Sequence, residues 1–343
     1  MKVATVQMVS ATGLQTNLDR AGVLLAEAAA GGAELVVLPE YFCLLGHRDT
    51  DKLGIREPFG DGPIQHFLAD AARSLKLWIV GGTLPLTLQH GSAEDRERRV
   101  TNSSLVFDPS GRCLQRYDKI HLFRFDNGKE RFDESRVLMA GDDPATFTIP
   151  SRDGQLWTIG MSVCYDLRFP ELYRRYAQAG VDLLLVPSAF TYTTGQAHWE
   201  LLLRARAVEN LAYVAAPAQG GLHESGRRTW GHSMVVDPWG DILCQRPEGD
   251  GVDIADLALE RVRQVRLQLP ALDHRILCTA LRPAGCANRR RRSGAGSCGP
   301  PWSGWLQHCW LPWSGWPVVT KRAGCRIASN ETRWTSGPTS APA

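Results

Sequence analysis

The feature that most constrains the fold is a regular alternation, from residue 2 to about residue 270, of short apolar runs with amphipathic stretches. Apolar runs of roughly four to eight residues suit buried strands, and apolar residues recurring near a 3.6-residue period suit helices. Residues 3–8 read as a strand. Residues 17–30 place Leu18, Ala21, Leu24, Leu25 and Ala28 at helical spacing, and Gly31-Gly32 supplies a stop. Residues 34–40 read as a strand, residues 63–77 as a helix opened by Pro63, and residues 78–82 as the next strand. Asp108-Pro-Ser-Gly111 is a turn tetrad joining residues 103–107 and 112–117 in a hairpin. The pattern then repeats: strand 157–165, helix 170–180, strand 181–186, helix 198–212, strand 213–218. In the second of these helices Leu201, Leu202, Ala205, Val208 and Leu211 fall near one face. A second hairpin pairs residues 231–237 and 242–245 around Pro238-Trp-Gly240. Helix and strand units with two hairpins predict an α/β fold, a mixed two-sheet sandwich with helices outside.

Beyond about residue 270 the periodicity stops. Residues 289–292 are four arginines in a row, and Pro-Trp-Ser-Gly-Trp occurs at 301–305 and again at 312–316. The chain therefore divides into an ordered domain, residues 1–270, and an atypical Arg-, Trp- and Cys-rich tail, residues 271–343, expected to be disordered or read out of frame. Two copies of five residues are too short for a solenoid unit. The arginine run reads as a solvated tail rather than a nucleic-acid site, because the net charge of the 343-residue chain is only +3. No secretory signal is visible and no apolar run approaches the roughly 18 residues needed to cross a bilayer, so a cytoplasmic protein without a membrane partner is expected. Nine cysteines, with no Cys-x-x-Cys pair and no His at zinc-ligand spacing, fit a reducing compartment and exclude a recognisable metal site.

Three polar residues close apolar runs, where α/β folds present ligand sites. They are Glu40 in Leu38-Pro-Glu40, Lys119 in Tyr117-Asp-Lys-Ile-His121, and Cys164 in Gly160-Met-Ser-Val-Cys-Tyr-Asp-Leu-Arg-Phe-Pro-Glu171. Acyl transfer from nitrogen needs a nucleophile, a base and a group that stabilises the developing oxyanion. Cys, Glu and Lys supply that set. Singly, each has a plainer reading: Cys164 as a small buried hydrophobe, Glu40 as a helix cap, Lys119 as a solvated strand-end charge. Gly160-Met-Ser-Val-Cys164 lacks the final glycine of a serine-hydrolase elbow.

Together, and in this order, the three signatures resemble those of the nitrilase or carbon-nitrogen hydrolase superfamily over residues 2 to about 268. The resemblance implies a four-layer αββα sandwich, no cofactor, and a homodimer or higher homo-oligomer, which the altered C-terminus would weaken. It makes Glu40 the general base, Cys164 the nucleophile and Lys119 the oxyanion partner alongside the backbone N–H of Tyr165. Glu134 matches a fourth family position that holds substrate and lysine in line. Within the superfamily the stretches 188–195, 198–210 and 231–240 are most similar to deaminated-glutathione amidases, and the omega-amidases share most of them. The implied reaction is hydrolysis of the terminal amide of deaminated glutathione to a carboxylate and ammonia through a thioester. The alternatives are an omega-amidase acting on α-ketoglutaramate, another carbon-nitrogen hydrolase, or an inactive binding or scaffold protein. A carboxylate-bearing substrate calls for a nearby guanidinium. Arg168 is the candidate, with Phe190 and Thr194 lining the same pocket by resemblance; its plainer reading is an ion pair with Asp166 or Glu171.

Overall fold

The computed structural model describes residues 1–276, so the expectation for the tail lies outside the described residues from residue 277 onward. The first half of the chain runs β1 (Lys2–Gln7), α1 (Leu14–Ala30), β2 (Leu35–Val37), α2 (Pro63–Leu75), β3 (Trp78–Val80), β4 (Leu84–Thr87), α3 (Ala93–Arg98), β5 (Val100–Phe107) and β6 (Cys113–Asp118). A short excursion follows, made of β7 (Arg124–Asp126), β8 (Arg131–Asp133) and β9 (Leu138–Met139). The second half runs β10 (Thr146–Pro150), β11 (Leu156–Met161), α4 (Pro170–Gln178), β12 (Leu183–Leu185), α5 (Tyr192–Asn210) and β13 (Tyr213–Ala216). It closes with β14 (Gly220–Leu222), β15 (Arg228–Trp230), β16 (Ser233–Val236), β17 (Ile242–Arg246), β18 (Gly251–Asp256) and α6 (Leu259–Gln268).

Each half builds its sheet around three parallel strands linked by two helices. In the first sheet the order is β18-β1-β2-β3-β5-β4, with β1, β2 and β3 parallel. In the second it is β10-β11-β12-β13-β16-β17, with β11, β12 and β13 parallel. Strand pleating sends alternate side chains to opposite faces, so a strand covered on both faces is apolar throughout. Ala4, Val6, Val36 and Ile79 accordingly pack under α1 and α2 with Leu24, Leu25, Ile64 and Leu68. Their neighbours Val3, Leu35, Val37 and Val80 join the larger core that contains Trp157, Ile159, Met161 and Leu183 of the second sheet. The result is the αββα sandwich, with the two sheets face to face and β1 packed on β13 and β16.

The structure alters several expected boundaries. The strand expected over 157–165 stops at Met161, and residues Cys164–Arg168 form a 3₁₀ turn instead. Helix α5 begins at Tyr192, not 198, because the β-branched and glycine residues of Thr-Tyr-Thr-Thr-Gly195 hide a helix start. Its apolar stripe also faces the other way: Leu201 is 69% and Val208 44% exposed, whereas Trp199, Leu203 and Ala207 are buried. The buried face escapes pattern reading because it carries Arg206 and Asn210. Arg206 donates to Leu167 O at 3.0 and 2.8 Å, and Asn210 Nδ2 donates to Arg206 O at 2.9 Å.

One glycine governs how the first sheet delivers its carboxylate. Gly82, just after β3, has φ +48°, and a Cβ there would lie 2.0 Å from the Pro39 carbonyl oxygen. The backbone leading into Glu40 therefore rests directly on Gly82. Gly82→Ala is expected to destabilise the protein by about 2 kcal/mol or more, a fall of roughly 5 °C in melting temperature. An unchanged thermal melt would show that this contact yields without cost.

Candidate active site

Glu40 and Cys164 each follow the C-terminal end of a parallel strand, β2 at the centre of one trio and β11 at the start of the other. Glu40 is 1% exposed, and groups from three further segments hold its carboxylate. Asn102 Nδ2, on β5, donates to Oε1 at 2.9 Å. Lys119 Nζ, directly after β6, contacts the same oxygen at 2.9 Å. The Ala189 N–H, beyond β12, donates to Oε2 at 2.9 Å. The Glu40 carbonyl is tied down as well, accepting from Gln219 Nε2 at 3.1 Å.

Lys119 is also 1% exposed and bridges two carboxylates. Its ammonium lies 2.9 Å from Glu40 Oε1 and 2.8 Å from Glu134 Oε2. Glu134 opens a 3₁₀ turn after β8 and is fixed in turn by the Tyr41 hydroxyl at 2.9 Å and the Phe123 N–H at 2.7 Å. The readings of Glu40 as a helix cap and Lys119 as a solvated charge therefore do not hold. Burial acts against the Lys119 charge, but Glu134 and Glu40 outweigh it and raise its pKa well above the ordinary lysine value. Burial raises the Glu40 pKa, and the Glu134 charge adds to this against the pull of Lys119. Glu134 titrates low instead, because Lys119 overcomes the effect of burial there.

Cys164 stands at the start of its turn with φ +49°, a left-handed conformation uncommon for a non-glycine residue. Its N–H donates to Pro187 O at 3.0 Å. The turn is organised by Asp166, which is wholly buried and accepts four hydrogen bonds. These come from the Val163 N–H at 2.8 Å, the Tyr117 hydroxyl at 2.7 Å, and the N–H and Nδ1 of His121 at 3.0 and 2.7 Å. Tyr117 and His121 flank Lys119, so one carboxylate ties the lysine segment to the cysteine turn. Burial and Glu40 raise the Cys164 thiol well above the ordinary value, with Lys119 opposing them. Cys43, equally buried, is pushed up to about 12 by burial. Titration alone therefore does not single out Cys164; its neighbours and its place on a cavity do.

That cavity has a volume of about 380 Å³ and is lined by Glu40, Glu134, Cys164 and the expected substrate residues Tyr165, Arg168, Phe190 and Thr194. Arg168 pairs with neither Asp166 nor Glu171. Its guanidinium lies 5.5 Å from the Phe190 ring centroid and 5.9 Å from that of Tyr165, and both terminal nitrogens lie 3.3 Å from His198 Nδ1. Thr194 Oγ1 sits 2.8 Å from Thr191 Oγ1. Sequence reasoning missed Tyr41, Asn102, Ala189, Lys52 and Arg227, which touch the cluster or line the cavity. Tyr41 had a signal, being next to Glu40; Asn102 sits in a strand that reads as ordinary core. Among the described residues, no group of three His, Cys, Asp or Glu is arranged to hold a metal ion, and no helix is long and apolar enough to cross a membrane.

A sandwich of two such sheets with Glu, Lys and Cys converging between them defines a hydrolase of non-peptide carbon–nitrogen bonds. The sequence pattern of the carbon-nitrogen hydrolase family matches residues 2–267, and the chain belongs to that family. A deaminated glutathione amidase of Synechocystis sp. is 40% identical over 275 residues, covering 80% of this chain and 97% of the relative. The omega-amidase NIT2 of Homo sapiens is 36% identical over 271 residues, covering 78% and 92%. The crystal structure of Saccharomyces cerevisiae Nit3, a member of branch 10 of the nitrilase superfamily, superposes with a TM-score of 0.69 at 31% identity, covering 81% of this chain and 97% of that one.

Removing the carboxylate that joins the lysine and cysteine segments leaves two N–H groups, a hydroxyl and an imidazole without their acceptor. Asp166→Ala is expected to lose on the order of 3 kcal/mol of stability in a urea titration, against about 0.5 kcal/mol or less for the exposed Glu171→Ala. Equal midpoints would mean the turn is held by other contacts.

Proposed function

We propose that the chain is a cysteine amidase in which Cys164 attacks an amide carbonyl, Glu40 moves the protons and Lys119 stabilises the oxyanion. The observation that supports this most is that Cys164, Glu40 and Glu134 line one cavity while the buried Lys119 ammonium joins the two carboxylates. The raised thiol pKa means that Cys164 rests as a neutral thiol. Glu40 then takes its proton as the C–S bond forms, and the Lys119 ammonium, held in place by Glu134, faces the developing negative charge. As the C–N bond breaks, Glu40 passes the proton to the departing amine. The same carboxylate activates water to hydrolyse the thioester, releasing the acid and freeing the thiol.

Deaminated glutathione is the substrate this reading favours. Arg168, without a carboxylate partner among the described residues, suits the carboxylate of an α-keto acid, with Phe190 and Thr194 beside it. A cavity of about 380 Å³ leaves room beyond the acyl portion for a substituted amine. The leaving group needs one correction of chemistry. Ammonia departs only from a primary amide such as α-ketoglutaramate, whereas deaminated glutathione is a secondary amide and releases cysteinylglycine. Both yield α-ketoglutarate, so a coupled α-ketoglutarate assay on the full-length chain compares them directly. Faster turnover of deaminated glutathione is expected; preference for α-ketoglutaramate would make the chain an omega-amidase, and turnover of neither would remove the proposal.

In the same assay Cys164→Ala is expected to lose activity by on the order of 10⁶-fold, because the nucleophile works as part of a unit. Lys119→Ala removes an oxyanion donor, an effect on the order of 10²- to 10³-fold or more. Near-normal turnover by Cys164→Ala would overturn the mechanism.

The base must be ionised to act, and burial raises the Glu40 pKa. Activity is therefore expected to fall as pH drops through a value above the ordinary carboxylate range. A plot of kcat/KM against pH checks this, and an acid limb at or below the value of a free glutamate would contradict the assignment of Glu40 as base.

A further inference from the structure

We infer that Lys52 forms a second anion subsite on the wall of the cavity and takes a carboxylate carried by the departing amine. The inference rests on the amidase reading above and narrows its substrate class to amides with a carboxylate on each side of the scissile bond.

The argument starts from the charges on the cavity wall. Lys52 belongs to the 3₁₀ turn Asp49–Ile55 and lines the cavity half-buried. Among the described residues it makes no hydrogen bond or ion pair; its ammonium lies 4.4 Å above the Tyr41 ring. The Tyr41 hydroxyl donates to Glu134, so this cation stands next to the reacting cluster.

Nearby carboxylates are committed elsewhere. Asp49 pairs with Arg227 at 2.6 Å, and Asp51 accepts from the Arg48 N–H at 2.9 Å. The rim acids Glu130 and Asp133 accept from Thr193 at 3.1 Å and from the Ser135 N–H at 3.2 Å. Arg228, the remaining cation on the wall, pairs with Glu248 at 2.9 Å.

Two cavity cations thus lack a carboxylate partner among the described residues: Arg168, packed on Phe190, and Lys52, packed on Tyr41. Burial lowers the Lys52 pKa while Glu134 and Asp49 raise it, so a bound carboxylate would be the neighbour that compensates its desolvation. With Arg168 assigned to the keto-acid end, Lys52 is left for the amine end.

The test uses two amides with the same α-ketoglutaryl acyl group, one of glycine and one of glycinamide. They match in size and differ in the charge of the leaving amine. The full-length wild-type chain is expected to favour the glycine amide in kcat/KM by about tenfold or more, the effect of a hydrogen-bonded charge pair. Lys52→Gln should bring that ratio close to one, and Lys52→Arg should restore it. Because the readout is a ratio, general damage to the site does not mimic it. A wild-type ratio near one, or a preference that survives Lys52→Gln, would overturn the inference. If neither amide is hydrolysed, turnover of α-ketoglutaramate decides whether the amidase reading stands. The subsite is then decided by titrating both amides into Cys164→Ala: tighter glycine-amide binding that depends on Lys52 supports it, and equal Kd values refute it.

Discussion

The structure around the cavity depends on one buried ammonium. Glu40 and Glu134 bring two largely buried carboxylates together, and such a pair is tolerated only with a cation between them. Lys119 meets both within hydrogen-bonding distance. The arrangement explains why three groups at one site titrate in different directions. Glu134, with the lysine, a hydroxyl and a backbone N–H, is held ionised, while Glu40 bears the larger effect of burial and titrates high. A carboxyl whose proton affinity burial raises, beside a thiol raised by burial as well, is a pairing suited to proton transfer during bond formation.

The surrounding architecture exists to hold that ammonium and the thiol in register. Two three-strand parallel units, one in each sheet, place Glu40 and Cys164 at the C-terminal ends of their strands, β2 and β11. Packing the sheets face to face closes the gap between them. The cross-links are short and specific. Gln219, from the second sheet's half, holds the Glu40 carbonyl, and Asp166 joins the Lys119 segment to the cysteine turn through Tyr117 and His121. The left-handed conformation of Cys164 is a cost that such a network over-determines.

Much of the fold was legible because its strands and helices obey simple periods. Helix α2 opens at Pro63 as expected, and the hairpin around Asp108-Pro-Ser-Gly111 pairs β5 with β6. Legibility failed where a polar residue is satisfied internally. Arg206 and Asn210 made the buried face of α5 look like its surface, and Leu201 and Val208 made its surface look like core. It failed again for β4, interrupted by Pro85, and for β14 and β15, whose Gly220-Gly221 and Arg228-Thr229 carry no apolar run. Glu40, Lys119 and Cys164 were each visible in local signatures and Glu134 through the family resemblance alone, but Asn102 and Ala189 were not. One is a strand residue like its neighbours, and the other contributes only its backbone.

By itself the sequence determined the alternation of strand and helix, a two-sheet α/β sandwich, and the chemical types gathered at the ends of apolar runs, because these follow from local periodicity; the αββα class came from the family resemblance that the ordered motifs carry. Only the tertiary structure decided that Lys119 bridges Glu40 and Glu134, that Arg168 packs on Phe190 instead of pairing with an acid, and that Lys52 faces the cavity without a partner among the described residues. Those facts depend on burial and on contacts between segments as much as 79 positions apart, as Glu40 and Lys119 are, and no local pattern encodes them.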